Sequence, residues 1–263
     1  MRRHPDPGAA MSPAADSRTP IAAGIAEAIA EPCGSCHARP LGLCGALLPA
    51  ELDQVAGVTE RMRLHAHENL FRAGTLADTV YLVASGALKV YQLLRDGRRQ
   101  IVAFPYPGDF LGLATGGVHA FTAEALTETV LCRFPLPVFN RLLADVPELR
   151  SALAERACDD LNLAQRQMTV LGRKSANERV ASFLLQLHAH RSHNCSPLVQ
   201  LPMTRADIAD YLGLTTETVS RAFSHLRVAG AIRLHGAEKA EILKLAELER
   251  LASGGGSFGD MGR

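Results

Sequence analysis

The sequence predicts an α+β fold in three parts: an N-terminal jelly-roll-like β-roll, one long helix, and a compact C-terminal helical domain carrying a small β-hairpin. Three observations carry this expectation. From about Leu52 to Phe139, short β-rich runs alternate with tight-turn residues. From Pro147 onward no further Pro or Gly interrupts the chain until Gly172, and apolar residues recur at steps of three and four. On either side of Gly213 lie two short amphipathic segments, each opened by threonine.

The chain has 263 residues, room for one large domain or two ordinary ones, and 47% of them are hydrophobic, which excludes a disordered chain. No apolar run reaches bilayer-spanning length; the nearest, Ile21 to Ala30, is short and broken by Glu27. The Arg2-Arg3 pair is followed by no adequate apolar region, so the reading is a soluble, cytoplasmic protein. A net charge of +1 excludes a globally basic nucleic-acid coat. The charge is uneven, however: residues 171–235 hold eight Lys/Arg against four acids, with five histidines besides. Such local excess suits phosphate contact.

Residues 1–32, rich in Ala, Pro and Arg, read as a flexible arm with a weak helix over Ile21–Ala30. The β-roll, with the cysteine segment ahead of it, occupies 33–145. Its expected strands are Val80–Ala84, Ala87–Leu93, Gln100–Phe104, Phe110–Leu113 and Thr129–Phe134, with Ser85-Gly86, Arg95-Asp96-Gly97 and Pro105–Asp109 as punctuation. Residues 146–172 form the long helix. Ala154, Ala157, Leu161, Ala164, Met168 and Leu171 fall on a narrow heptad seam with polar flanks, which predicts a two-stranded contact between protomers of a homodimer. Three of these six are alanine, so the dimer is expected to be weak and open to control. Residues 173–250 form the helical domain, and 251–263 read as a Gly-rich disordered tail.

In that domain Thr204 can cap a helix with Asp207 at its third position, and Ile208, Ala209 and Leu212 give it an apolar face. Gly213 permits the tight turn of a helix-turn-helix, and Thr215 or Thr216 caps the second helix. Val219, Phe223 and Leu226 point inward, leaving Glu217, Ser220, Arg221 and Ser224 on one outer face. Arginine can donate twice to guanine, and a carboxylate can accept from cytosine N4. Thr204, Arg205, Thr216, Glu217, Ser220 and Arg221 are therefore the candidate contacts to double-stranded DNA. Ala231–Leu234 and Ala240–Leu243 are expected to form the hairpin wing, with Arg233 and Lys239 near phosphate.

Six cysteines remain: Cys33, Cys36, Cys44, Cys132, Cys158 and Cys195. In a reducing compartment such clustering points to metal or redox chemistry. Cys33-x2-Cys36-x7-Cys44 sits in a Pro- and Gly-rich loop ahead of the roll. The candidate fourth ligand is Cys132, on the expected strand Thr129–Phe134. By ligand type alone, four thiolates suit either zinc or an iron–sulfur cluster.

The segment Leu212-Gly-Leu-Thr-Thr-Glu-Thr-Val-Ser-Arg resembles the recognition motif of the Crp–Fnr superfamily, most of all its Fnr branch. The likeness extends to Gly108-Asp-Phe-Leu-Gly, Tyr81-Leu-Val-Ala-Ser-Gly-Ala-Leu-Lys-Val and Asn177-Glu-Arg-Val-Ala, and covers about residues 33–245. It implies a β-roll sensor domain, a dimerisation helix and a winged helix-turn-helix, and a transcription regulator rather than an enzyme. It implies a [4Fe–4S] cluster on Cys33, Cys36, Cys44 and Cys132, and oxygen sensing by its loss. The gap of seven before Cys44 departs from the five of the enterobacterial type and matches the FnrN- and FnrL-like subgroup. It further implies that Glu217, Ser220 and Arg221 read a TTGAT half-site, and that RNA polymerase is a partner.

Competing readings are weaker. Relatives that bind cyclic AMP carry a Glu and an Arg-Ser pair after the Gly-Asp-Phe segment, and Gly112-Leu-Ala-Thr-Gly-Gly-Val-His-Ala-Phe supplies neither. A haem sensor would use His65, His67 or His119, yet lone histidines on a roll are usually packing or surface residues. His188, His190, His193 and Cys195 have metal-ligand types, but helix-end histidines are common without metal. No nucleophile–base arrangement marks an enzyme.

Overall fold

Two four-stranded antiparallel sheets enclose the N-terminal core. The first has the order β1 (Glu60–Leu64), β8 (Thr129–Pro135), β3 (Thr79–Ser85), β6 (Phe110–Leu111). The second runs β2 (Asn69–Phe71), β7 (Thr122–Ala125), β4 (Leu88–Leu93), β5 (Arg99–Ala103). The computed structural model describes residues 31–114, 116–190 and 196–254. The arm read over residues 1–32 lies outside these but for its last two residues, as do His193, Cys195 and the tail from residue 255.

Side-chain alternation along β3 and β8 explains both faces of the first sheet. Val83 and Leu131 point toward the second sheet, where they pack with Leu64, Leu88 and Ala125. Val80, Leu82, Ala84, Val130, Cys132 and Phe134 point the other way, into a separate apolar cluster. That cluster is roofed by three segments: Leu43 and Leu47 of the cysteine loop, the helix α1 (Pro49–Gly57) and the helix α2 (Leu136–Asp145).

Neither α1 nor α2 matches the strand-and-turn reading of Leu52 to Phe139. The α1 segment is one helix of nine residues, burying only Leu52 and Val55. Pro49 opens it, and the Leu48 N–H donates to Glu51 Oε2 at 2.7 Å. A helix this short shows too few turns for its period to stand out. The expected strand Phe110–Leu113 shrinks to two residues.

The long helix α3 runs Pro147–Arg173, about 40 Å at the usual rise per residue. Leu149 near its start is buried, while the seam beyond stands largely open: Leu161 is 58% and Met168 68% exposed. Ala154, Ala157 and Ala164 are exposed too, and Leu171 is half-buried where α3 meets the next domain.

The C-terminal domain comprises α4 (Ala176–His190), β9 (Leu198–Gln200), α5 (Arg205–Leu212), α6 (Thr216–Val228), the hairpin β10 (Ile232–His235) and β11 (Lys239–Ile242), and α7 (Leu245–Ala252). The wing has three strands, because β9 joins the outer edge of β11. The sequence reading missed β9, three residues beside Pro197. It also began the tail at residue 251, whereas Leu251 and Ala252 are the buried end of α7, together with Leu248. Val180, Phe183, Leu184, Ile208, Val219, Phe223 and Leu226 build this core, which continues without a break into Ile101, Tyr106 and Leu126 of the roll.

Candidate nucleic-acid interface and cysteine centre

The turn between α5 and α6 is built by the residues that the sequence singles out. The Asp207 N–H donates to Thr204 Oγ1 at 3.1 Å, and the Thr204 N–H donates to Asp207 Oδ2 at 3.1 Å, so each satisfies the other's end of the box. Gly213 ends α5 in the left-handed region, at φ +62°. Thr215 then caps α6 by accepting from the Thr218 N–H at 3.2 Å, leaving Thr216 as the first helical residue rather than the cap.

Val219, Ala222, Phe223 and Leu226 of α6 are buried against α4 and α5. Thr216, Glu217, Ser220, Arg221 and Ser224 are exposed along one face of the helix, and Thr216 and Glu217 lie in its first turn, where unpaired N–H groups favour phosphate. Arg221 donates to Glu217 Oε1 at 2.6 Å, which holds the carboxylate beside a cation instead of leaving it bare. Ser220 Oγ donates to the Thr216 carbonyl at 2.9 Å. Thr204 is exposed at the start of α5, whereas Arg205 lies apart from this face. Its guanidinium stacks over the Phe223 ring at 3.6 Å, and burial lowers its pKa. On the wing, Arg233 pairs with Glu241 at 2.9 Å.

Four of the cysteines belong to the N-terminal domain. Cys33 and Cys36 lie in a turn, Cys44 in a 3-10 helix spanning Leu43–Ala46, and Cys132 in the middle of β8. Cys33 and Cys44 pack against the apolar cluster that contains Cys132. Burial, reinforced by the thiols of Cys132, Cys33 and Cys36, pushes Cys44 up to about 12. Burial likewise raises Cys132 to about 11, with the Arg61 guanidinium opposing it and Cys33 and Cys36 adding to it. Among the described residues no group of three or more His, Cys, Asp or Glu side chains is disposed to hold a metal ion. Cys158 is exposed on α3.

Two features position the loop. Arg39, between Cys36 and Cys44, donates to the Leu47 carbonyl at 3.1 Å and to the Cys44 carbonyl at 3.4 Å. Gly42 lies directly on Gly108, where a Cβ on Gly108 (φ +95°) would fall 2.6 Å from the Leu41 carbonyl oxygen. Sequence reasoning missed Arg39 and Arg61. Arg61 faces Cys132 across the β1–β8 ladder, a register that no local pattern reveals.

A β-roll joined through one long helix to a winged helix-turn-helix defines a class: transcription regulators, not enzymes. Residues 178–251 match the Crp-like helix-turn-helix domain, and residues 61–146 match the cyclic nucleotide-binding domain. The nitrogen fixation regulation protein FixK of Bradyrhizobium diazoefficiens is 40% identical over 224 residues, 84% of this chain and 94% of that one. The transcriptional activator protein FnrL of Cereibacter sphaeroides is 32% identical over 82% of this chain and 90% of its own. The structure of FixK2 from Bradyrhizobium japonicum superposes with a TM-score of 0.69 at 36% identity, covering 74% of this chain and 97% of that one. The chain belongs to the Crp–Fnr family of transcription regulators, which bind DNA and act as dimers.

Proposed function

We propose that this regulator responds to oxygen: a [4Fe–4S] cluster held by Cys33, Cys36, Cys44 and Cys132 promotes dimerisation at low oxygen, and the dimer binds TTGAT-N4-ATCAA-like sites. The observation that supports this reading is the packing of Cys33 and Cys44 of the loop against the apolar cluster that contains Cys132 of β8, with Cys36 on the same loop. As thiolates, four such groups would repel one another in a poorly hydrated pocket, and a cationic iron–sulfur core offsets that cost.

When bound, the cluster supplies an oxidisable iron centre. The chain's residues would do the rest. The three loop thiols and Cys132 would tie the N-terminal segment to the face of the first sheet. Leu43 and Leu47 would seat that segment in the apolar cluster beneath it, which also holds Leu149 at the start of α3. The open seam Ala154, Ala157, Leu161, Ala164, Met168 and Leu171 would then meet its copy. By linkage, whatever binds the cluster more tightly as a dimer is driven toward the dimer by the cluster. A two-fold dimer presents two α6 helices to an inverted repeat. Glu217, Ser220 and Arg221 would read each half-site with Thr216 and Thr204 beside them, Arg205 would brace α6 through the Phe223 ring rather than touch DNA, and RNA polymerase would be the further partner.

The test is protein purified without oxygen and then exposed to air. A brown species that bleaches, losing affinity for a TTGAT-N4-ATCAA duplex as it does, supports the reading. Colourless protein rich in zinc, or a Cys132→Ser variant with undiminished anaerobic binding, overturns the sensor while leaving the DNA reader intact.

A further inference from the structure

We propose that Arg99 and Lys89 of the β-roll are positioning residues for DNA binding: they clasp Asp207 and Asp210 of α5 and fix the reader's orientation on the sensor domain. This inference rests on DNA binding by the family and not on the cysteine centre.

The contact is an ion cluster across two domains. Arg99, at the start of β5, donates through Nε to Asp210 Oδ2 at 2.8 Å and through Nη2 to Asp207 Oδ1 at 2.7 Å. Lys89 of β4 lies 3.4 Å from Asp207 Oδ1 and 2.9 Å from Glu124 Oε1 of β7. Lys89 and Asp207 are 5% and 4% exposed, so this is not a solvated surface pair. A buried charge keeps its place only beside its partner, which makes the arrangement sensitive to orientation. Beside the cluster, Gln100 Nε2 donates to the Tyr211 carbonyl at 3.4 Å, and the Phe104 ring packs 5.2 Å from that of Tyr211.

Asp207 also closes the capping box of α5. The roll therefore grips the very residue that sets the start of the first helix of the helix-turn-helix. Since α6 packs on α5 through buried Val219 and Phe223, fixing α5 fixes the exposed face of α6. The covalent path between the domains is different. It runs through Lys174, an extended residue between α3 and α4, where Arg179 binds the carbonyls of Leu171, Lys174 and Leu212. One such attachment permits rotation about itself. The second attachment is the docked face of the roll, where the apolar packing of Ile101, Tyr106 and Phe104 sets nearness and the directional ion cluster at its edge sets the angle. In a dimer that must present two α6 helices to two half-sites at fixed spacing, this restraint acts on DNA affinity.

The experiment is a double-mutant cycle on the full chain with Arg99→Ala, Asp210→Asn and both together. Binding is measured, at protein concentrations where the variants match wild type in dimer fraction, to a duplex the wild-type chain selects from a randomised pool. Amide hydrogen exchange of β4, β5 and α5 is followed alongside. Each single substitution is expected to weaken binding about three- to tenfold, and the double no more than the worse single, because the two act through one contact. Faster exchange in α5 with unchanged exchange in the α6 core separates lost positioning from general unfolding. Asp210→Asn keeps shape and partial exposure, so it tests the contact even if Arg99→Ala folds poorly. Affinity within about twofold of wild type in Asp210→Asn, tighter binding in either single, multiplying effects in the double, or unchanged α5 exchange would each overturn the proposal.

Discussion

Single residues decide how this chain meets DNA and how it answers acid. Arg221 reaches outward with Glu217 as its intramolecular partner; if this face reads DNA as proposed, truncation removes a donor and also leaves a carboxylate facing phosphates. Arg221→Ala is expected to cost about 1–3 kcal/mol of specific DNA affinity and to relax preference at one base pair, readable by competition with single-base variants of the site. Asp207 behaves differently. Burial alone would raise its carboxyl, but hydrogen bonds from Thr204 and the charges of Lys89 and Arg99 outweigh that and hold it below the ordinary value. A lowered carboxylate contributes stability that is fully present above its unfolded pKa and is lost as pH falls through the folded one. Between about pH 5 and pH 3, denaturant unfolding of Asp207→Asn should therefore depend less on pH than that of the wild type.

Elements carry the assembly. Along α3 the seam leaves Leu161 and Met168 open, and covering one such side chain is worth about 1.5–3 kcal/mol. Leu161→Glu removes that from both protomers, so a dimer should weaken about a hundredfold or more, which sedimentation velocity measures. At the cysteine loop the decisive feature is backbone against backbone. Gly108→Ala places a methyl group against Leu41 and forces the loop off the sheet. The expected result is lower iron content after anaerobic reconstitution, with the C-terminal domain still folded. Retention of full iron loading would show that the loop does not need this close approach.

Across the whole molecule, the cysteine centre and the recognition helix lie in different domains, joined by α3 and by the contact of β4 and β5 with α5. The sequence by itself determined much of this. The capping threonines and Gly213 specify the helix-turn-helix because capping and left-handed turns are local properties of a few neighbouring residues. The roll strands Val80–Ala84 and Ala87–Leu93 were legible because alternation and turn residues are local too, and so was the long helix, uninterrupted by Pro or Gly after Pro147 until Gly172. Only the tertiary structure decided the rest. The helices α1 and α2 are too short to announce a period and form because the sheet offers them an apolar face. The nearness of Cys132 to the loop thiols follows from strand order, and Arg61 joins them through ladder register. Along the chain Arg99 looks like an ordinary surface charge, and Asp207 like a helix-capping residue with no distant partner. They meet because two domains dock, and docking is set by long-range packing that no local spacing encodes.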